Sequence, residues 1–317
     1  MMPDMWGPLA MFTPLLAAAI QSGAPILFAT VGEIVTERSG TLNLGVEGMM
    51  LCGALAAFVV SLGTGSPWLG ALAGCAAGSL LAVLHGLSTL TCGGNQVVSG
   101  LALTILGVGL ADTLGAGHIG QVSPGFDPVA VPLLSTIPVL GPALFNQDPL
   151  VYLSYVMPLA VWLLLCRTRW GLHLQAAGEN PAAARAAGIS PLRWRWIGIL
   201  AGGALCGLGG AYLSLAATHL WTTNLTAGRG WIAVALVIFS AWRPERAMLG
   251  AYLFGGVMAL QLRLQAMGAA LPSSLLLMMP YAMTVLALVV FSRAKARAAG
   301  RNLPPASLGV PLGGEGG

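Results

Sequence analysis

Two polar side chains, Asn43 and Glu47, lie four residues apart in the stretch ERSGTLNLGVEGMMLCGA (37–54). On a helix this spacing places both on one face, and Gly45 and Gly48 keep the neighbouring surface narrow. A carboxylate inside a bilayer costs about 2.5 kcal/mol or more, so such groups usually face a cavity or a partner. The chemistry this pair offers is hydrogen bonding to a polar solute. The alternative is that Glu47 caps a helix end or meets cytoplasmic water.

A second polar cluster follows a break in an apolar run. The glycine pair at 93–94 interrupts the helical pattern, and Asn95, Gln96 and Ser99 come directly after it. Broken helices of this kind present backbone groups and a half-helix N-terminus to a solute path in membrane transporters. The simpler interpretation is a tight cytoplasmic turn in which Asn95 is the N-cap of the next helix.

A third stretch, residues 222–256, combines a short apolar run with several glycines. It predicts a helix that enters from outside, with Arg229 at its mouth. The side chain of Arg229 would otherwise extend to lipid headgroups, as terminal arginines commonly do. We interpret Trp221 and Trp231 as interfacial residues rather than as stacking platforms.

Several kinds of catalytic and metal site are excluded. The one lysine, Lys295, follows Ala294, so the chain has no G-x-x-x-x-G-K-[ST] phosphate-binding loop, and any ATPase must be a separate polypeptide. It has neither an H-E-x-x-H zinc motif nor a G-x-S-x-G nucleophile elbow. The dispersed histidines and cysteines predict no metal, no bound cofactor and no disulfide framework. The cysteines, interpreted as buried apolar residues, are Cys52, Cys75, Cys92, Cys166 and Cys206.

The composition is typical of a membrane protein. Of the 317 residues, 56% are hydrophobic and 8% are charged, whereas soluble domains carry about 25% charged residues. The mean hydropathy is +0.83, and the 44 glycines suit helices that pack closely in lipid. The N-terminus has no basic residue before its first apolar stretch and carries Asp4, so we expect a retained span rather than a cleaved signal peptide.

We predict an all-α transmembrane bundle with about nine spans, within a range of eight to ten. The candidate spans are 9–31, 46–63, 68–91, 97–115, 150–166, 196–217, 229–242, 247–265 and 272–292. The 229–242 candidate is short enough to be re-entrant. Residues 1–292 are interpreted as one transmembrane domain, and the basic, low-complexity tail 293–317 is predicted to be cytoplasmic and disordered.

The basic residues predict the orientation of the bundle. With nine spans, all except Arg229 and Arg263 fall on one side, in the loop near Arg38, the 167–195 loop, the loop at 243–246 or the tail. The positive-inside rule then places the N-terminus outside and the C-terminus in the cytoplasm. Topology thus explains the positive charge, and no nucleic-acid partner is predicted.

The longest cytoplasmic loop, 167–195, contains a short helix with both ends marked. Asn180 is a favoured N-cap, Pro181 fits the first helical position, and Gly188 supplies the C-terminal stop. A helix of about seven residues is about 10 Å long and is marginal alone. We expect a partner to order it; the alternative is an amphipathic helix lying on the bilayer.

Four stretches of the sequence carry a family resemblance: GEIVTERSGTLNLGVEGMMLCGA (32–54), GGNQVVSGLAL (93–103), AAGENPAAARAAGIS (176–190) and GRGWIAVALVIFSAWRPERAMLGAYLFGG (228–256). Together they resemble the permease subunits of bacterial ABC importers, in the branch related to ribose and branched-chain amino-acid permeases. Within that branch the chain is most similar to nucleoside permeases of the guanosine and simple-sugar type.

The resemblance implies a subunit of the bacterial inner membrane that works with several partners. These are a second, related permease, two ATPase subunits or one tandem ATPase chain, and an extracytoplasmic substrate-binding lipoprotein. ATP and Mg would bind to the ATPase subunits. The short cytoplasmic helix would dock in a groove on the ATPase, with Glu179, Asn180 and Arg185 as polar contacts and its alanine face packed into the groove.

The sequence departs from the family pattern at three positions. Gln96 stands where family members often carry an acidic residue, Thr104 where asparagine is common, and Gln175 where a basic residue is common. Family roles that depend on a charge or a carboxamide at these positions are therefore not assigned to this chain.

We therefore expect a non-enzymatic permease subunit that imports a nucleoside or related small solute, driven by partner ATPases through the 180–188 helix. Its candidate path residues are Asn43, Glu47, Asn95, Gln96 and Ser99. The alternative is an ion-coupled secondary transporter, for which Glu33, Glu47 and Asp112 are the available ionisable groups. A non-transporting scaffold explains neither the break at 93–95 nor the cytoplasmic helix.

Overall fold

The computed structural model describes residues 12–267, 272, 275–276, 278–286, 289 and 304–311. Within them the chain is mostly helical. The helices are α1 Thr13–Arg38, α2 Val46–Thr64, α3 Pro67–Gly86, α4 Gln96–Gly115, α5 Leu140–Leu144, α6 Pro149–Arg167, α7 Arg169–Glu179, α8 Pro181–Ala186, α9 Pro191–Tyr212, α10 Arg229–Ser240 and α11 Pro244–Ala266. Short π or 3-10 turns extend α3 to Thr91, α4 to His118 and α9 to Ala217.

Seven of these described helices are long and apolar enough to cross a membrane, namely α1, α2, α3, α4, α6, α9 and α11. They correspond to seven of the nine predicted spans. The candidate at 229–242 forms α10, whose 12 residues are too few to cross a bilayer alone. The candidate at 272–292 lies partly outside the described residues, as does the start of the 9–31 candidate.

Asp148 shows how a polar residue determines where a helix begins. Its Oδ1 accepts hydrogen bonds from the N–H groups of Leu150 and Val151, both at 3.0 Å, and so caps α6. The Tyr212 hydroxyl donates to Oδ2 at 3.3 Å and connects this cap to α9. Burial raises the pKa of the Asp148 carboxyl, and the hydrogen bonds from Val151, Tyr212 and Leu150 oppose that shift.

Glycines allow α2, α3 and α9 to pack backbone against backbone. A Cβ atom added to Gly53 would lie 2.5 Å from the carbonyl oxygen of Gly207. A Cβ on Gly207 would overlap the carbonyl of Gly74, and a Cβ on Gly78 would overlap the carbonyl of Gly203. Because lipid supplies no hydrophobic drive between helices, this close approach is a main source of packing energy.

The two ends of the bundle differ. One end holds residues 167–191, and we call it the coupling-loop end. The opposite end is covered by residues 119–148, which include a short antiparallel ladder of β1 (Val129–Ala130) and β2 (Asn146–Gln147). The Ser61 hydroxyl, near the end of α2, donates to the carbonyl oxygen of Pro124 at 2.7 Å and fixes this cover to the bundle.

We predict that Gly207→Ala lowers the thermal unfolding midpoint of the purified protein in detergent, because the added methyl group must displace the α3 backbone. Overpacking of this kind costs about 1–3 kcal/mol. The matched control is Gly109→Ala, since a Cβ at Gly109 meets no atom within 4 Å. Equal midpoints for the two variants, measured by fluorescence-detected gel filtration after heating, would contradict the proposed packing.

Candidate functional site: a broken helix and a coupling loop

Glu47, in the first turn of α2, caps the N-terminus of α10. Its Oε1 accepts hydrogen bonds from the Thr226 hydroxyl at 2.5 Å and the Gly228 N–H at 2.8 Å. Its Oε2 accepts one from the Gly230 N–H at 2.6 Å, and the side chain is only 5% exposed. The carboxylate therefore satisfies orphan N–H groups at the positive end of the helix dipole. This geometry favours the helix-cap interpretation of Glu47 over a direct contact with solute.

The N-terminus of α10 lies near the middle of the bundle. A Cβ on Gly230 would lie 2.6 Å from the Cα of Glu47, and a Cβ on Gly107 would lie 2.5 Å from the Cα of Gly48. Gly107 is about 16 Å from either end of the 96–118 span, at 1.5 Å per residue. Helix α10 therefore begins at mid-depth and runs only to the coupling-loop end.

The chain that leads into α10 is not helical. Residues 218–228 start at the opposite end, where Leu220 forms a bridge with Val122 and the buried Trp221 packs on Gly115. They then descend through turns to α10. The re-entrant segment expected from the sequence is thus one half of a broken crossing, whose other half is non-helical chain that consists mostly of turns.

Three of the predicted path residues, Asn43, Gln96 and Ser99, instead form hydrogen bonds that connect the α1–α2 loop to neighbouring helices. The Asn43 N–H donates to Glu33 Oε1 at 3.0 Å, and Gln96 Oε1 accepts from the Leu42 N–H at 2.7 Å. Ser99 hydrogen bonds to His85 Nδ1 at 3.0 Å, and His85 Nε2 lies 3.0 Å from the Leu42 carbonyl oxygen. Asn43 and Gln96 are buried, and Ser99 is half-buried.

Asn95 is placed differently from these three. It is exposed at the coupling-loop end. Its Oδ1 accepts from the N–H groups of Val97 at 2.9 Å and Val98 at 3.1 Å, so it is the N-cap of α4. The structure thus brings Asn43, Gln96 and Ser99 together around the α1–α2 loop, while Glu47 lies on α2 against α10.

Sequence reasoning missed a contact between α1 and the end of α10. The Trp242 indole N–H donates to Glu37 Oε2, and the Arg38 guanidinium donates to the Trp242 carbonyl oxygen at 3.3 Å. Trp242 has a φ of 56°, so the chain turns sharply there before α11. Glu37 and Arg38 mark the end of α1, but their partner is about 200 residues away and has no local signal.

The three positions that depart from the family pattern also make internal contacts. Besides Gln96, the Thr104 hydroxyl donates to the Leu44 carbonyl oxygen at 2.9 Å. Gln175 Nε2 donates to the Leu165 carbonyl oxygen at 2.7 Å. Among the described residues, no group of three or more His, Cys, Asp or Glu side chains is placed to hold a metal ion.

Helix α8 at the coupling-loop end is short and capped at both ends. Asn180 Oδ1 accepts from the Ala183 N–H at 2.9 Å, and the Ala184 N–H donates to the Asn180 carbonyl oxygen at 3.0 Å. Gly188 closes the helix with a φ of 78°. Pro181 and Ala184 are buried against the protein.

The outer surface of α8 remains exposed. The exposed residues there are Glu179, Asn180, Ala182, Ala183, Arg185, Ala186, Ala187 and Gly188. Beside them, Arg185, Gly188 and Leu90 help to line an open groove of about 560 Å³. Within the described part of the chain, the face that the sequence assigns to a partner is therefore exposed, although Glu179 also accepts a hydrogen bond from the Ala306 N–H.

Residues 304–311, which we call the C-terminal strap, pack against the base of α8. The Ser307 N–H donates to the Gly178 carbonyl oxygen at 3.0 Å, and the Ala306 N–H donates to Glu179 Oε2 at 3.2 Å. Arg195, which is fully buried, donates to Ser307 Oγ at 2.8 Å and to the Val310 carbonyl oxygen at 3.0 Å.

The strap corrects the prediction of a disordered tail for residues 304–311. Composition alone indicates disorder, but a buried guanidinium needs acceptors, and the strap supplies two of them. The remaining residues of the predicted 293–317 tail lie outside the described residues.

Comparison with known proteins agrees with this architecture. Residues 15–288 match the family described as the permease component of branched-chain amino acid transport systems. The chain belongs to this permease family. A multi-pass membrane protein with several apolar helices fits that assignment.

Three similar proteins align with most of the permease sequence. It is 44% identical to the putative glucose ABC transporter permease protein TsgC13 of Haloferax volcanii, over 81% of this chain and 79% of the relative. It is 35% identical to the nucleoside ABC transporter permease protein NupC of Lactococcus lactis, over 87% and 92%. It is 32% identical to the guanosine ABC transporter permease protein NupQ of Bacillus subtilis, over 94% and 95%.

We predict that Glu47→Ala destabilises the permease strongly, because three donors, two of them buried and one part-buried, lose their acceptor. Each buried donor left unsatisfied costs about 1–3 kcal/mol. The matched control is Glu245→Gln, which removes only an exposed ion pair with Arg243, 3.7 Å long. Thermal unfolding in detergent should separate the two variants; a Glu47→Ala protein as stable as Glu245→Gln would show that the cap is dispensable.

We predict that removing the strap loosens the base of α8. In a permease truncated after Leu303, backbone amides of residues 176–190 should exchange with deuterium about tenfold faster, or more, than in the full-length permease. The reason is the loss of several hydrogen bonds worth about 1 kcal/mol each. Truncation after Pro311 keeps the strap and is the matched control. Unchanged exchange in the shorter protein would mean that the strap does not order this loop.

Proposed function

We propose that this permease carries solute for an ATP-driven importer, with α8 as its contact to separate ATPase subunits. The observation that carries the proposal is the exposed surface of a short, doubly capped helix on a chain of this permease family. Six helical residues, Pro181–Ala186, bury little apolar area, so a partner's groove would supply stability that the helix lacks alone.

The chain's basic residues support the proposed orientation. Arg167, Arg169, Arg185 and Arg193 are exposed at the coupling-loop end, which on the positive-inside rule faces the cytoplasm. The N-terminus would then lie outside and the C-terminal strap inside, next to the ATPase subunits. Residues 119–148 would face the extracytoplasmic lipoprotein.

The proposed solute is a nucleoside or a sugar, because the names of the similar permeases refer to nucleosides, guanosine and glucose. The permease itself performs no covalent chemistry in this proposal. ATP and Mg bind to the ATPase subunits, and a second, related permease completes the path. Closure of the ATPases would push α8 and bias the pair between outward-facing and inward-facing states.

We predict that Ala184→Pro abolishes coupling while leaving membrane insertion intact. Proline removes the Ala184 N–H bond to the Asn180 carbonyl oxygen and breaks α8 at a cost of about 3 kcal/mol or more. Uptake of radiolabelled guanosine or glucose into cells should fall to background, whereas ATP hydrolysis by the purified transporter should continue.

The matched control for that variant is Ala184→Ser, which keeps the N–H group and adds one oxygen atom. It should retain most of the uptake. Uptake by Ala184→Pro equal to that of Ala184→Ser would rule out α8 as the element that transmits ATPase closure.

A further inference from the structure

The non-helical chain before α10 exposes polar groups at membrane depth. Thr222, Thr223 and Asn224 are exposed, whereas Thr226 points to Glu47 and is fully buried. This stretch lies between Trp221, which packs near the opposite end, and the mid-depth N-terminus of α10. Among the described residues, one side of the segment is therefore held by the bundle, and the other side is exposed.

An exposed, polar and non-helical segment is energetically unfavourable in contact with the hydrocarbon core of a bilayer. Irregular backbone within a bilayer is found only where protein buries it or where it lines water, because each unsatisfied polar group in lipid costs several kcal/mol. The exposed side carries hydroxyl and carboxamide groups. Protein surfaces made to be covered by a neighbouring helix in lipid are instead rich in small residues such as glycine and alanine.

An aromatic ring stands beside the polar groups. The Tyr281 hydroxyl donates to the Ala227 carbonyl oxygen at 3.4 Å, and 48% of the side chain is exposed. The Arg229 guanidinium is held next to it by the Leu225 and Thr226 carbonyl oxygens at 3.3 and 3.0 Å. Within the described residues its Nε is buried without a hydrogen-bond partner.

We propose that Thr222, Thr223, Asn224 and Ala227, together with the Tyr281 ring, line a water-filled route and contact the solute between the opposite end and mid-depth. The chemistry fits a solute with a flat or weakly polar ring and several hydroxyl groups. Tyr281 offers a face for the ring, and the threonine and asparagine side chains offer donors and acceptors for hydroxyls. This inference deepens the proposed function, since it assumes that the permease carries a nucleoside or a sugar.

The inference moves the solute contacts away from the residues that the sequence favours. Asn43, Glu47 and Gln96 are buried and bonded within the fold, so a solute reaches none of them without breaking those contacts. Glu47 has a different part in this proposal. It fixes the position of the segment that faces the route.

The first test is chemical labelling of Thr223→Cys and Ala227→Cys in membrane vesicles that hold the complete transporter. The background is a variant with all five native cysteines replaced by alanine, shown first to retain uptake. A charged methanethiosulfonate reagent reacts with hydrated thiols, so both positions should be labelled in the nucleotide-free or the vanadate-trapped state. Guanosine or glucose at millimolar concentration should slow the labelling.

The matched control for labelling is Leu80→Cys, at a residue that is 66% exposed near the middle of α3. It should remain unlabelled because lipid surrounds it. Labelling of neither 223 nor 227 in either state would overturn the proposal, since protein would then cover the segment. Labelling that neither guanosine nor glucose slows would overturn the solute contact.

The second test is uptake by Thr223→Val, which keeps the shape of the side chain but loses its hydroxyl. We expect a KM about threefold to tenfold higher, the equivalent of one hydrogen bond, with the ATPase rate unchanged. Thr64→Val, at an exposed hydroxyl near the end of α2 that donates to the Val60 carbonyl oxygen, is the control and should leave KM unaltered.

The two tests separate this inference from the proposed function. An unchanged KM in Thr223→Val would overturn the solute contact even if uptake depends on ATP. If guanosine or glucose slows the labelling of positions 223 and 227 but uptake needs no ATP, the route is supported and the ATP-driven mechanism is overturned.

Discussion

The carboxylate of Glu47 connects two parts of the chain that are 179 or more residues apart in sequence, α2 and the start of α10. In water a helix N-terminus needs no such partner, because solvent satisfies its free N–H groups. The Gly230 N–H is buried at mid-depth, on the side of the segment away from the proposed route, where no solvent reaches it. The break before α10 is therefore compatible with the membrane only because a neighbouring helix brings an acceptor with two oxygens to that level. Asn224 and Ala227, with positive φ of 54° and 46°, lie in the turn that leads to these contacts, and the Ala227 N–H donates to the Asn224 carbonyl oxygen.

Around this polar junction the bundle divides into two kinds of packing. Helices α2, α3 and α9 meet through glycines at backbone distance, which leaves no room for one helix to slide past another. Near the segment before α10 the contacts are hydrogen bonds between side chains and backbone, which can be exchanged for others of similar energy. A transporter needs both, since a rigid frame transmits a push from outside and an exchangeable polar region responds to it.

The sequence was sufficient for the local features and insufficient for the long-range ones. The N-caps at Asn95 and Asn180, the glycine stop at Gly188 and the short α10 follow from spacing and residue type, and the structure contains each of them. The partners of Glu47, and the role of Arg195 as the residue that holds the strap, depend on which distant segments come together. No periodicity encodes that pairing. The tail shows the same limit, because a proline-rich and glycine-rich composition resembles disorder until a buried cation is found that requires its carbonyl and hydroxyl oxygens.

The position of the strap has a consequence for biosynthesis. Ser307 and Val310 lie 112 and 115 residues after Arg195 in the chain and so leave the ribosome well after it, yet they complete its surroundings at the start of α9. Throughout translation of the upstream helices that guanidinium must keep water or lipid phosphate as its temporary partner. The surface next to α8 is thus complete only after residues 304–311 have been made and have folded back onto it. Chains that terminate before residue 304 would differ from longer ones at the very face where assembly with other subunits is proposed to begin.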